Sequence, residues 1–224
     1  MTIALNRTET VWGWRYLLFQ LLFLPHLLSL AVSLTGLQLR PALLNFLYFS
    51  INFLVVILLL GRFLLANLAQ TKPVKLLLTA AVALAGYWIA SFGVSHLIAL
   101  IYPDFFNVND QSIAGMAGSD LPLTAIGTVV LVPITEECLY RGVFFGSLYR
   151  RSKVLAYCLS VFVFALIHVL NYFGVYPVDL LCLCLLQYIP AGIFLAWAYE
   201  KSDSILCPIL MHTVINAIGI FSMR

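Results

Sequence analysis

Glu136, Glu137 and Arg141 stand inside an otherwise apolar run, and two later apolar runs carry His168, one helical turn after Phe164, and His212, one turn before Asn216. A carboxylate and an imidazole that share a water can orient it and take its proton. A second imidazole and an amide can donate to the oxyanion formed when that water attacks an amide carbonyl. These are the parts needed to hydrolyse a peptide bond without a covalent intermediate. Glu136, His168 and His212 also make a possible metal set, because catalytic zinc takes three protein ligands and keeps a position for water. No H-E-x-x-H occurs in the chain. The residues alone leave both mechanisms open, one needing no cofactor and one using a divalent metal such as zinc.

Spacing separates the two acids. Charges at the centre of a membrane helix cost about 2.5 to 3.5 kcal/mol each on insertion scales. Glu137 and Arg141, with the carboxylate N-terminal at i,i+4, are placed to satisfy each other. Glu136 points about 100° away around the helix and is the acid left over. His168 with Phe164, and His212 with Asn216, each occupy one stripe of a helix. His26 and His96 lack a polar neighbour at helical spacing and read as packing residues.

These groups need elements to carry them through a bilayer. The chain has 224 residues, 63% hydrophobic and 9% charged, against about 25% charged for an ordinary soluble domain. That excludes a soluble domain, a disordered chain and, with Cys at only 5 residues, a disulfide scaffold. The fold class expected is all-α, a polytopic transmembrane helix bundle of about seven spans: Tyr16 to Leu34, Leu43 to Leu60, Leu76 to Tyr102, Leu121 to Leu148, Val154 to Phe173, Val178 to Tyr199 and Ser204 to Phe221. The site is then buried among spans four, five and seven. By these boundaries His168 lies nearer the outer face than Glu136 and His212, a mismatch that helix tilt can absorb.

Seven spans put nine basic residues on the side of the N-terminus (Arg7, Arg15, Arg62, Lys72, Lys75, Arg150, Arg151, Lys153 and Lys201) and only Arg40 and Arg224 on the other. The positive-inside rule then places the N-terminus in the cytoplasm and the chain in the plasma (inner) membrane as a multi-pass protein. The first apolar run reads as an uncleaved span rather than a secretory signal. The five cysteines (Cys138, Cys158, Cys182, Cys184, Cys207) read as small core residues rather than bridges or ligands. A net charge of +3 without a long basic run gives no sign of nucleic acid as a partner.

The stretch Val132 to Gly142 resembles the EExxxR motif of the CPBP intramembrane proteases, which include CAAX prenyl-protein endopeptidases and bacteriocin-processing, Abi-like proteins. Phe164 to His168 is similar to the second motif of that family, FxxxH, and His212 to Asn216 to its third, HxxxN. The resemblance covers residues 121–221 as a catalytic membrane core; residues 1–120 hold transmembrane helices without a recognisable motif. It implies that Glu136 and His168 activate water, that His212 and Asn216 stabilise the oxyanion, and that Glu137 and Arg141 hold the site in shape. It also implies an intramembrane endopeptidase acting on a membrane-associated, prenylated or leader-bearing peptide, with the lipid bilayer as the other partner. The prenyl-protein members are described with eight spans, one more than the seven expected for this chain.

Two other functions use such residues. Intramembrane Glu and His also build ion- or proton-coupled transporters, but the chain shows no inverted repeat or pair of broken helices. A non-catalytic immunity or binding protein would use the same polar cluster to recognise a peptide. Serine chemistry lacks its Gly-rich nucleophile motif.

Overall fold

The computed structural model describes residues 4–222, so Arg224 lies outside the described residues. The architecture is all-α, a polytopic helix bundle, and the described residues contain no strand. The helices are α1 (Arg7–Leu22), α2 (Leu24–Thr35), α3 (Pro41–Gln70), α4 (Pro73–Ile101), α5 (Val108–Ser119), α6 (Leu121–Tyr149), α7 (Lys153–Val169), α8 (Val178–Ser202) and α9 (Leu206–Ser222).

Each apolar stretch of the sequence falls on a helix, but the stretches are not seven equal spans. Five unbroken helices are long and apolar enough to cross a membrane: α3, α4, α6, α8, and α7 with the short turn that extends it to Tyr172. The first stretch is broken into α1 and α2, which meet at 51°. Pro25 explains the break. It has no N–H to give to the carbonyl of Leu21, and its ring would press on that carbonyl. The last stretch, α9, has 17 residues and is shorter than the others.

Sequence chemistry sets the helix ends. Asn6 and Glu9 form a reciprocal capping box at the start of α1, and Glu9 is also paired with Arg62 of α3. Pro41 and Pro73 open α3 and α4, where a missing N–H costs nothing. The turn into α9 is fixed to the end of α3: Ile205 N–H donates to Asn67 Oδ1 at 2.9 Å, and the hydroxyls of Ser204 and Thr71 share a hydrogen bond at 2.6 Å. This sets the height at which His212 enters the bundle.

α6 is the innermost helix. Over half of its most apolar stretch is buried, 56%, against 17% for α3 and 11% for α4, which expose Leu58, Leu65, Leu68 and Leu78 as lipid-facing surface. α1 lies close against it at Gly13, where an added Cβ would come within 2.6 Å of a Val143 methyl. Of the cysteines, Cys138, Cys184 and Cys207 are buried, but Cys158 and Cys182 are exposed. Those two are surface residues rather than the core residues expected, since a lipid-facing position in an apolar helix suits a thiol as well as a core position does. His26 and His96 are also exposed, and His96 lies parallel to the ring of Phe92.

Candidate active site

α6 departs from α-helical winding twice, over Ile126–Leu131 and over Glu137–Phe145, where the backbone takes the wider π-helical turn. The second wide segment carries Glu137 and Arg141. Both are fully buried, and Arg141 Nη1 donates to Glu137 Oε1 at 3.1 Å. Helical spacing assigns Glu137 to Arg141 alone. In the structure the same Oε1 also accepts Nδ1–H of His212 at 2.7 Å, so one carboxylate oxygen joins α6 to α9. The Arg141 guanidinium lies over the Phe164 ring at 4.1 Å, which adds α7 to the same cluster.

The first wide segment fixes Asn216. Val132 N–H reaches back five residues to Gly127 O, leaving the carbonyl of Thr128 without that donor. The next residue that could bond it is Pro133, which has no N–H. Asn216 Nδ2 supplies the missing donor, at 2.8 Å from Thr128 O. A buried carbonyl without a partner costs about 1–3 kcal/mol, so this bond holds α9 against α6. The second N–H of the same amide is left for another acceptor.

His168 is fixed on its other nitrogen. Its Nδ1 lies 2.7 Å from Phe164 O, and because a carbonyl only accepts, Nδ1 carries the proton and Nε2 keeps its lone pair. The ring stacks on Tyr188, with centroids 4.2 Å apart.

Glu136, His168, His212 and Asn216 all line one cavity of about 530 Å³. The expected difference in depth between His168 and the others does not keep it out of this cavity. Glu136 Oε2 is buried there without a hydrogen-bond partner among the described residues. The cavity can take polar guests: its remaining wall carries polar groups as well as leucines.

Several of those groups come from helices with no motif. Gln20 of α1 donates to the Tyr140 hydroxyl at 3.2 Å and accepts from Tyr48 of α3 at 3.3 Å, and Asn52 lies beside them, accepting from Tyr16 at 2.9 Å. Asn109 and Asp110 of α5 also line the cavity, with Tyr172 and Tyr188. Single amides in apolar helices, Gln20 and Asn52, are the signal that could have marked the first wall; the short α5 offers none.

Among the described residues no group of three His, Cys, Asp or Glu is arranged to hold a metal ion. The possible set of Glu136, His168 and His212 is therefore not gathered as ligands in this conformation. The imidazole of His212 is instead drawn to Glu137.

Residues 118–218 match the family profile described as "Type II CAAX prenyl endopeptidase Rce1-like". The chain is 30% identical over 138 residues to "Putative membrane peptidase YdiL" of Bacillus subtilis (strain 168), covering 60% of this chain and 52% of that protein. It is also 30% identical over 90 residues to "UPF0177 protein YxdF" of Lactococcus lactis subsp. lactis (strain IL1403), covering 40% of this chain and 44% of the relative. The matches thus span about half the length of these relatives. No solved structure matches the chain. The chain is an integral membrane protein by its apolar helices, and the segment that carries Glu136, His168, His212 and Asn216 is similar to the Rce1-like, CAAX-type peptidases.

Proposed function

We propose that the chain is an intramembrane endopeptidase that hydrolyses a peptide bond of a membrane-associated, prenylated or leader-bearing peptide with a water activated by Glu136 and His168. One observation carries the reading: side chains from α6, α7 and α9 line one cavity, and the acid among them keeps a buried oxygen without a partner.

In this reaction a water held between Glu136 and Nε2 of His168 attacks the scissile carbonyl carbon, and its proton passes to Glu136. The carbonyl oxygen becomes an oxyanion facing the free N–H of Asn216, whose amide is already anchored on Thr128 O. When the C–N bond breaks, the proton on Glu136 moves to the leaving amine, so the carboxylate base is regenerated. His212 keeps one proton on the nitrogen that faces Glu137. It can donate to the oxyanion from Nε2 only when it carries both protons, a charge that the oxyanion itself offsets. Glu137 and Arg141 act as supports: the pair holds His212 in place and does not touch substrate.

The same reading takes residues 121–221 as the catalytic core and residues 1–120 as the helices that complete its wall. It places the N-terminus in the cytoplasm of a plasma (inner) membrane, on the nine-to-two division of basic residues.

The test is cleavage by the full-length protein in lipid nanodiscs of membrane-anchored peptides, prenylated and unprenylated, in water enriched in oxygen-18. The expected product has a new C-terminus carrying one heavy oxygen from solvent. Failure to cut any peptide, with flux of ions or solutes in liposomes that depends on His168, would replace the hydrolase with a transporter.

A further inference from the structure

The Nδ1 hydrogen bond from His168 to Phe164 O fixes one edge of the imidazole and leaves the ring free to tilt about it. Two aromatic rings limit that tilt. Phe164 lies 4.7 Å away at 57°, and Tyr188 of α8 lies 4.2 Å away with only 23° between the planes. Tyr188 is therefore the flat surface against which the imidazole rests.

Tyr188 is itself anchored at its far end. Its hydroxyl accepts from Asn109 Nδ2 at 3.1 Å and has two acceptors in reach for its proton, Asp110 Oδ1 at 3.1 Å and Asn107 Oδ1 at 3.2 Å. These three residues begin α5, where Asn107 also caps the helix by accepting from the backbone N–H groups of Asn109 and Asp110. Asn107 Nδ2 donates in turn to Gln187 Oε1 at 2.8 Å, the neighbour of Tyr188 in the chain. A residue that only filled space would not need three polar partners at its tip.

We propose that Tyr188, anchored through its hydroxyl to Asn107, Asn109 and Asp110, is a positioning residue that fixes the ring plane of His168 for its hold on the attacking water. This rests on the hydrolase reading above. It makes α5, a helix too short and polar to be a span, part of the catalytic apparatus. Misplacing a reacting group by about 1 Å can cost on the order of 10²-fold, and loss of a stacking face with the hydrogen bond retained is expected to cost about tenfold.

The experiment uses the full-length chain in nanodiscs with carbon-13- and nitrogen-15-labelled histidine, the His168 signal being identified by its loss in His168→Gln. Wild-type protein is expected to show a rigid His168 ring with the proton on Nδ1. Tyr188→Leu should keep that tautomer, because the bond to Phe164 O remains, but lower the order parameter of the His168 ring and lower kcat about tenfold at unchanged KM. Tyr188→Phe, which restores the flat face without its anchor, should fall between the leucine variant and wild type on both readouts. Tyr188→Met, a flexible filler of the same space, replaces the leucine variant if that one does not fold. Wild-type ring order and kcat in the leucine or methionine variant would overturn the proposal, and so would a mobile ring in wild-type protein. If even wild-type protein cuts no peptide, the hydrolase reading fails, while the ring-order measurement still decides whether Tyr188 fixes the ring.

Discussion

His212 donates its Nδ1–H to Glu137 Oε1 at 2.7 Å, and this bond, not one to Glu136, ties the third motif to the first. The adjacent acids thereby divide their work. Glu137 is spent on Arg141 and His212 inside the protein, and Glu136 faces the cavity.

The Glu137 to Arg141 pair is a support whose loss unbalances a fully buried charge. Glu137→Gln should lower stability by about 3–5 kcal/mol, read as a fall in the unfolding temperature in detergent. Replacing both members, Glu137→Gln with Arg141→Met, should recover most of that loss. A single variant as stable as wild type would show that the pair is not holding the site.

Asn216 has a structural duty that can be separated from any contact with substrate. Asn216→Ala leaves Thr128 O without its donor and should cost about 1–3 kcal/mol. Adding Pro133→Ala restores a backbone N–H within reach of that carbonyl. The double variant is therefore expected to be more stable than Asn216→Ala alone while remaining as poorly active. If it is less stable, the account of the wide turn is wrong.

Much of this site is legible in the amino-acid sequence, and for a physical reason. Glu136, Glu137, Arg141, His168, His212 and Asn216 are costly in apolar helices, so each announces that it needs a partner. The partner of His212 is not legible there, because angular reasoning assumes 100° per residue and α6 widens over Glu137–Phe145, changing which side chains face α9. The wall formed by Gln20, Tyr48 and Asn52 joins α1 to α3 and α6 through contacts far apart in sequence, which no local spacing encodes. The break of the first stretch at Phe23 has a visible cause in Pro25, and an apolar count alone passes over it.

α1 is held to α6 by close approach. Gly13→Leu must displace Val143, whose methyl sits 2.6 Å from where the new Cβ would be, and should destabilise the protein by about 1–3 kcal/mol. Val143→Ala in the same chain is expected to relieve part of it. Unfolding temperatures of the two variants check this, and an unchanged temperature for Gly13→Leu would contradict it.

Asp110, outside the spans, gives a pH signature. Burial pushes its carboxyl above the usual aspartate range, an effect opposed by the Tyr188 hydroxyl. The folded state then binds the proton more tightly than the unfolded chain does, so this contribution is present in full at low pH and is lost as pH rises through the raised value. Thermal unfolding of wild-type protein and Asp110→Asn should differ in slope with pH above the usual aspartate range, about pH 4, wild-type stability falling relative to the variant as pH increases. Parallel curves would count against it.

The measurement closest to the central claim compares the cleavage rate of Glu136→Gln with that of wild-type protein, at equal amounts of folded protein and on the same peptide. Glutamine keeps the shape of the side chain and removes its ability to take a proton. The expected result is a loss of at least about 10²-fold in kcat with an unfolding temperature no lower than that of the wild type. Cleavage within a few-fold of wild type would contradict the account, because Glu136 would then not be the base.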